Sequence, residues 1–433
     1  MIPKGDFKGR VAPFLLFGVV LLVLPFFVES RSAYGLLNSM GIWLVFALAY
    51  NMLLGQTGML SFGHAVYYGL GGYAAMHAMN AIETAHFGGG GLWASVPVFG
   101  LPIIGFAAGL LAGALIGYPS CRRAGVPFAM ISLGVGELFA AAAFIFISFF
   151  GGEEGITGDR MVGPELFGLS LGPAHEVYWF IAFWTFVATV AIFAFTRTPL
   201  GRLANATRDN PERVQFIGYD PMRVRYLVFI ASGGFAGMAG AMAAVNFEIF
   251  TPLSLGLIPS GVVLLMAYIG GIKYFWGPMV GAVLITFMQS NMSGYSDAWL
   301  LYLGVMFIAV VMFAPSGLAG IIDAGLRSTG REGFGRVTVS WLASLVASLI
   351  SAAGFVVFIE LMLRRSGGYG QTFEPLGLVT MRYDDLWPWL VGLALFAAGV
   401  ALHRVLAPLR ERAAGDLERI DAARRAEEQE SAA

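Results

Sequence analysis

Charge is scarce in this 433-residue chain. Asp, Glu, Lys and Arg make up 12% of it, against 58% hydrophobic residues and a mean hydropathy of +0.74. Soluble domains carry about 25% charged residues, so this scarcity excludes an ordinary soluble fold. Cysteine is rarer still: Cys121 stands alone, which excludes an internal disulfide framework. No GxxxxGK(S/T) loop is present, so the chain has no phosphate cradle of that kind with which to hydrolyse ATP. HExxH, GxSxG and CxxC are missing as well. The five histidines, His64, His77, His86, His175 and His403, are scattered without metal-ligand spacing. Nothing in the sequence argues for an enzyme, a bound metal or a nucleic-acid partner.

What is there instead is a series of long apolar runs. About 20 residues at 1.5 Å rise cross the hydrocarbon core of a bilayer, so runs of about 18 or more read as transmembrane helices. Candidate spans fall at 11–28, 35–54, 62–80, 95–117, 126–150, 177–196, 226–245, 257–272, 277–291, 298–314, 339–362 and 386–407. The last of these before 298, 277–291, is short, and with 257–272 it also suits a pair of tilted or re-entrant helices. The expectation is an all-α polytopic membrane protein with about ten core transmembrane helices and two extra C-terminal spans. The organisation expected is a transmembrane domain over 1–328, two additional spans over 329–409 after a Gly/Arg hinge at Ser328–Arg336, and a charged tail over 410–433. Lys4, Lys8 and Arg10 before the first run imitate a signal peptide. The run is longer than the usual apolar core of one, and no A-x-A site follows, so an uncleaved first span is expected.

Lys and Arg in short loops set orientation. The N-terminus, Arg122 and Arg123, the stretch with Arg327, Arg331 and Arg336, and an internal loop with Arg197, Arg202, Arg208, Arg213, Arg223 and Arg225 are basic. The loop 151–176 is the reverse, with Glu153, Glu154, Asp159, Glu165 and Glu176 against Arg160. A cytoplasmic N-terminus puts every one of those basic loops, and the C-terminal tail, inside and the acidic loop outside. Arg364, Arg365 and Arg382 run against this count and leave the last two spans least constrained. Lys273 marks a membrane edge.

Glycine recurs at Gly105, Gly109, Gly113 and Gly117, and again at Gly233 and Gly237. Small residues at i, i+4 spacing let helix backbones approach where lipid supplies no hydrophobic drive, so these read as packing positions. The stretch Asn51–Ala65 carries Gly55, Gly58, Gly63, Asn51, Gln56, Ser61 and His64 with no charge among them. It is either a tight turn or an irregular element lining a wet path, since broken backbone at membrane depth is tolerated only inside protein or beside a water-filled cavity. Glu137 is an intramembrane acid, which must be paired, protonated or facing water. If the segment lines a path, Asn51, Gln56, Ser61, His64 and Glu137 are its candidate polar residues; a packing role for His64 and a structural one for Glu137 are the competing readings. Inside the arginine loop, Asn210 suits a helix N-cap, Pro211 the first helical position and Gly218 the C′ stop. A helix of about two turns results, with Val214, Phe216 and Ile217 as its apolar members. Positive-inside charge alone would need no such caps, so a docking role for the loop is expected.

These residues together resemble a known family. Asn51–Ala65 is similar to the N-x-L-x-G-x-x-G-x-x-S-x-G-H-A signature of branched-chain amino-acid ABC importer permeases. Arg123–Ala129, Ala206–Asn210 through Gly218-Tyr219, and Gly270-Gly271-Ile272 with Trp276-Gly277-Pro278 resemble the same family, over about 35–320. The long N-terminus and acidic loop look more like its LivM-type half than its LivH-type half. The resemblance implies a bacterial inner-membrane permease that pairs with a second, LivH-like permease, two cytoplasmic ATP-binding subunits that hold the ATP and magnesium, and a periplasmic substrate-binding protein. It further implies that the loop 197–225 docks on the ATPase through Arg208, Asp209, Asn210, Glu212, Phe216, Gly218 and Tyr219. Arg213 and Val214 stand where many members have paired alanines, which leaves the cognate ATPase open. Permeases for urea or short amides are related alternatives, and a stand-alone ion-coupled transporter is the rival from another class.

Overall fold

The computed structural model describes residues 7–422, apart from 29, 89, 167, 295, 297, 315, 329–333, 367–371, 374–380, 414, 417–418 and 420–421. The core of the expected hinge at Ser328–Arg336 and most of the expected tail after Arg410 therefore lie outside the described residues. The chain divides into two compact units, Met1–Ser290 and Asn291–Ala433.

The first unit is built from α1 (Phe7–Val23), α2 (Arg31–Thr57), α3 (Ala65–Phe87), α4 (Leu101–Ser120), α5 (Val126–Ile145), the single turn α6 (Ile147–Phe150), α7 (Ala174–Arg197), α8 (Pro199–Asp209), α9 (Pro211–Phe216), α10 (Pro221–Phe247), α11 (Leu257–Gly270) and α12 (Gly277–Met292). Local chemistry sets many of these ends. Ser30 caps α2 by accepting from the Ala33 amide at 3.3 Å, and Gly58 stops it in the left-handed region at φ 71°.

Helix α10 is the most buried of the membrane-length helices and runs through the middle of the unit, with α2, α3 and α4 packed around it. Its 27 residues put the arginine loop at one end and the acidic loop at the other. At the far end, β1 (Ile156–Thr157) pairs antiparallel with β2 (Ile249–Phe250), just beyond α10. Arg160 completes that clamp: its guanidinium donates to the carbonyls of Leu171 at 2.7 Å and Asn246 at 3.0 Å, and lies 3.6 Å from Glu248. Small residues form the contact of α4 with α10. A Cβ added at Gly105 would strike Gly237, one at Gly109 would strike Gly233, and one at Gly117 would strike the Phe229 ring.

The second unit holds α13 (Trp299–Phe313), α14 (Gly317–Ser328), α15 (Phe334–Ser366) and α16 (Leu386–Val405), with β3 (Thr372–Phe373) and β4 (Met381–Arg382) between the last two. Helices α15 and α16 pack as a hairpin, with Gly354 against the Phe396 backbone and Gly399 against Ser351. Most of their apolar surface faces outward, which suits lipid. Glu360, buried on α15, accepts from the Tyr302 hydroxyl at 2.8 Å.

The architecture is all-α and multi-pass. Among the described residues seven helices are long and apolar enough to span, or eight if α13 and α14, bent by 52°, count as one broken span. The remaining runs read from the sequence form shorter or more polar helices. The 14 residues of α11 reach only about 21 Å, short of a bilayer core of about 30 Å. The run 126–150 is interrupted at Phe146, where α5 ends and α6 begins.

Candidate functional site

Three helices follow one another through the arginine loop, and each starts the same way. Thr198-Pro199, Asn210-Pro211 and Asp220-Pro221 place a capping side chain before a proline. Thr198 Oγ1 accepts from the Gly201 amide at 3.2 Å, Asn210 Oδ1 from Arg213 at 2.9 Å, and Asp220 Oδ1 from Met222 at 2.9 Å. Proline fits the first turn because its missing N–H would be unpaired there anyway. Gly218, at φ +88°, ends the middle helix. The loop is thus an ordered three-helix element. The caps at Asn210-Pro211 and the stop at Gly218 announce α9 in the sequence, whereas α8 is an addition of the structure, although Thr198-Pro199 repeats the same signal.

The two faces of the loop differ. On the inner face Val214 is 1% exposed, and Ala204 packs with Val224 and Val228. On the outer face Phe216 is 89% exposed, Ile217 60% and Tyr219 52%. Glu212 and Arg213 are also exposed on α9. The arginines are not equivalent. Arg197 lies over the Phe193 ring at 4.9 Å, and Arg223 pairs with Asp220 at 3.5 Å. Arg208 pairs with Asp209 at 3.0 Å and turns back onto the Gly55 carbonyl.

The stretch Asn51–Ala65 begins as the end of α2 and continues as non-helical backbone up to α3. Its free amides and carbonyls are met by side chains from three helices. The Phe62 amide donates to Ser132 on α5 at 3.0 Å, the Ala65 amide to Ser260 on α11 at 2.9 Å, and the Tyr50 hydroxyl donates to the Ser61 carbonyl at 3.0 Å. Gly63 lies against the Ser132 carbonyl so closely that a Cβ there would collide with it. His64 is fully buried, 3.1 Å from Ser232 Oγ and ringed by Phe46, Tyr50 and Tyr67. This is broken backbone held inside protein.

Of the candidate path residues, Asn51, Ser61 and His64 gather on this segment and are covered in this conformation; Asn51 Oδ1, Ser61 Oγ and His64 Nδ1 have no hydrogen-bond partner among the described residues. Gln56 is half-buried, and its Oε1 accepts from Asn205 at 2.6 Å. Glu137 stands apart. It follows Gly136, which packs on Gly63, but its own side chain is exposed on the outer face of α5. That face also carries Met130, Gly134, Leu138 and Ala141, so a carboxyl sits midway along an otherwise apolar stripe. No group of three or more metal-ligating side chains occurs among the described residues.

A family model described as branched-chain amino acid transport system, permease component, matches residues 32–314. The chain is 27% identical over 345 residues to the high-affinity branched-chain amino acid transport system permease protein LivM of Escherichia coli K12, covering 73% of this chain and 77% of that protein. It is 24% identical over 320 residues to a probable branched-chain amino acid transport permease protein LivM of Methanocaldococcus jannaschii, covering 64% and 90%. It is 24% identical over 286 residues to LivH of E. coli K12, another permease protein of the high-affinity system, covering 63% and 90%. No solved structure matches the chain.

Proposed function

The chain belongs to the family of branched-chain amino acid transport permease components, and from that premise we propose that it is one transmembrane half of an ATP-driven importer for branched-chain or other aliphatic amino acids. A second, related permease completes the path, two ATPase subunits on the cytoplasmic side supply the energy, and a substrate-binding protein delivers the cargo on the far side. The arginine loop lies on the ATPase side and the acidic loop, 151–176, receives the binding protein.

The observation that carries the mechanical part is the outward face of α9. Phe216 at the end of α9, and Ile217 and Tyr219 just beyond it, are large, exposed apolar or aromatic groups on a capped, packed element, which is the character of an interface anchor. Val214 on the opposite side ties the same six-residue helix to the body of the protein. A push on the anchor is therefore delivered to the bundle as a rigid-body displacement, the kind of motion that alternating access requires.

The translocation path runs along the outer face of α5. A carboxyl midway along a membrane helix is too costly to leave in lipid, by about 3 kcal/mol on insertion scales, so Glu137 faces water or a partner chain. The second permease closes that face.

Co-purification tests this reading. The unmodified chain, expressed with its candidate partners, is expected to bring down the ATPase subunits. Phe216→Asp, which puts a charge on the anchor, and Gly218→Pro, which cannot adopt φ +88°, are expected to lose them while still inserting in the membrane. Full retention of the ATPase by both variants would sink the docking role of α9.

A further inference from the structure

Two side chains of α8 hold the end of α2. Arg208 Nη1 donates to the carbonyl oxygen of Gly55 at 2.5 Å, and Asn205 Nδ2 donates to Gln56 Oε1 at 2.6 Å. The Gly55 carbonyl is open to this contact for a local reason. The Met59 amide, which would bond it in a continuing helix, turns back to Leu53 as α2 stops at Gly58. That pattern satisfies some terminal carbonyls and leaves others free. A cation suits the position, because the C-terminal end of a helix carries partial negative charge. Asp209 holds the guanidinium fork from the other side, with Nε and Nη2 both 3.0 Å from its Oδ1.

What the held end of α2 touches matters more. Gly55 abuts the Ile272 carbonyl in the turn between α11 and α12, and Gly58 lies under the Arg208 stem, where a Cβ would come within 3.0 Å of it. From Gly58 the broken segment runs to Gly63, against Ser132 and Gly136 of α5, next to Glu137. On its other side α8 leads straight into α9, the Asn210 amide bonding back to the Ala206 carbonyl at 2.9 Å.

We infer that Arg208 and Asn205 form a clasp through which displacement of the α8–α9 loop moves the end of α2 and the segment Gly58–His64. They are positioning residues for transport, acting through α2 on the helix that carries Glu137. The inference rests on the reading that α9 docks an ATPase, and it assigns Arg208 an inward role distinct from the anchor at Phe216.

The test uses the complete transporter in proteoliposomes and reads substrate molecules imported per ATP hydrolysed. Arg208→Met removes the donor while keeping the stem, Asn205→Leu removes the second bond, and Arg208→Lys restores one donor. With the ATPase subunits co-purifying at the unmodified ratio, the Arg208→Met and Asn205→Leu pair is expected to lower import per ATP by roughly ten-fold, in the usual range of coupling between sites. Arg208→Lys is expected to recover part of the loss, which a cap serving only stability would not show in this ratio. An unchanged ratio in the double variant overturns the clasp alone. Loss of the ATPase from Arg208→Met also overturns it, because Arg208 would then belong to the docking contact. Failure of the unmodified chain to retain an ATPase overturns the docking reading and the clasp with it.

Discussion

Gly109 of α4 lies backbone to backbone against Gly233 of α10. A Cβ on Gly109 would collide with the Gly233 carbonyl oxygen, and one on Gly233 would come within 3.0 Å of the Gly109 carbonyl. Lipid gives helices no hydrophobic reason to associate, so contact this close is what holds α4 to the central helix. Gly109→Val is therefore expected to destabilise the chain by about 1–3 kcal/mol or more, the usual cost of overpacking. Lower yield and a lower melting temperature in detergent would show it. Gly134→Ala, with nothing within 4 Å of the new methyl, is the control expected to change neither.

Cys121 follows the last residue of α4 and is fully buried. Burial pushes its thiol up to about 12, a rise that nearby Arg225 only partly offsets. The thiolate is the reactive form, so at pH 8 almost none is present. Maleimide added to native membranes is expected to leave Cys121 unlabelled, and labelling is expected after denaturation in SDS. Rapid labelling of the native protein would contradict this packing.

Arg160 ties the acidic loop to the end of α10 through carbonyls of Leu171 and Asn246 and through Glu248. Its removal leaves those acceptors in a half-buried position without their charged donor, at a local cost of about 2 kcal/mol. Arg160→Ala is expected to speed cleavage at Glu153, Glu154 or Glu165 by a glutamate-specific protease added from outside spheroplasts. Unchanged cleavage would mean that the strand pair β1–β2 suffices to hold the loop.

Glu137 is the acid on the exposed stripe of α5. Glu137→Leu makes that stripe wholly apolar and removes the polar group from the path. Membrane abundance is expected to stay the same or rise, while uptake falls sharply. Normal uptake by this variant would remove Glu137 from the path.

Much of this was readable from local chemistry. Asn210, Pro211 and Gly218 announced α9 because caps, proline and a left-handed stop act over a few residues. The four glycines of α4 showed their stripe because helical period is a property of one segment. What could not be read depends on contacts across the chain. Nothing in the sequence near Arg208 says that it turns inward to Gly55, 153 residues away, while Phe216 turns outward. A six-residue helix has too little period to say which of Val214 and Phe216 is buried. Hydropathy left 257–272 open between a span and a tilted or re-entrant helix, and the 14 residues of α11 fall on the short side.

The central claim, an importer half powered by ATP on partner subunits, is met most directly by uptake of radiolabelled leucine into proteoliposomes. The full set of subunits is expected to accumulate leucine only with ATP on the loop side and the loaded binding protein on the other. Accumulation by this chain alone, driven by an ion gradient without ATP, would contradict it.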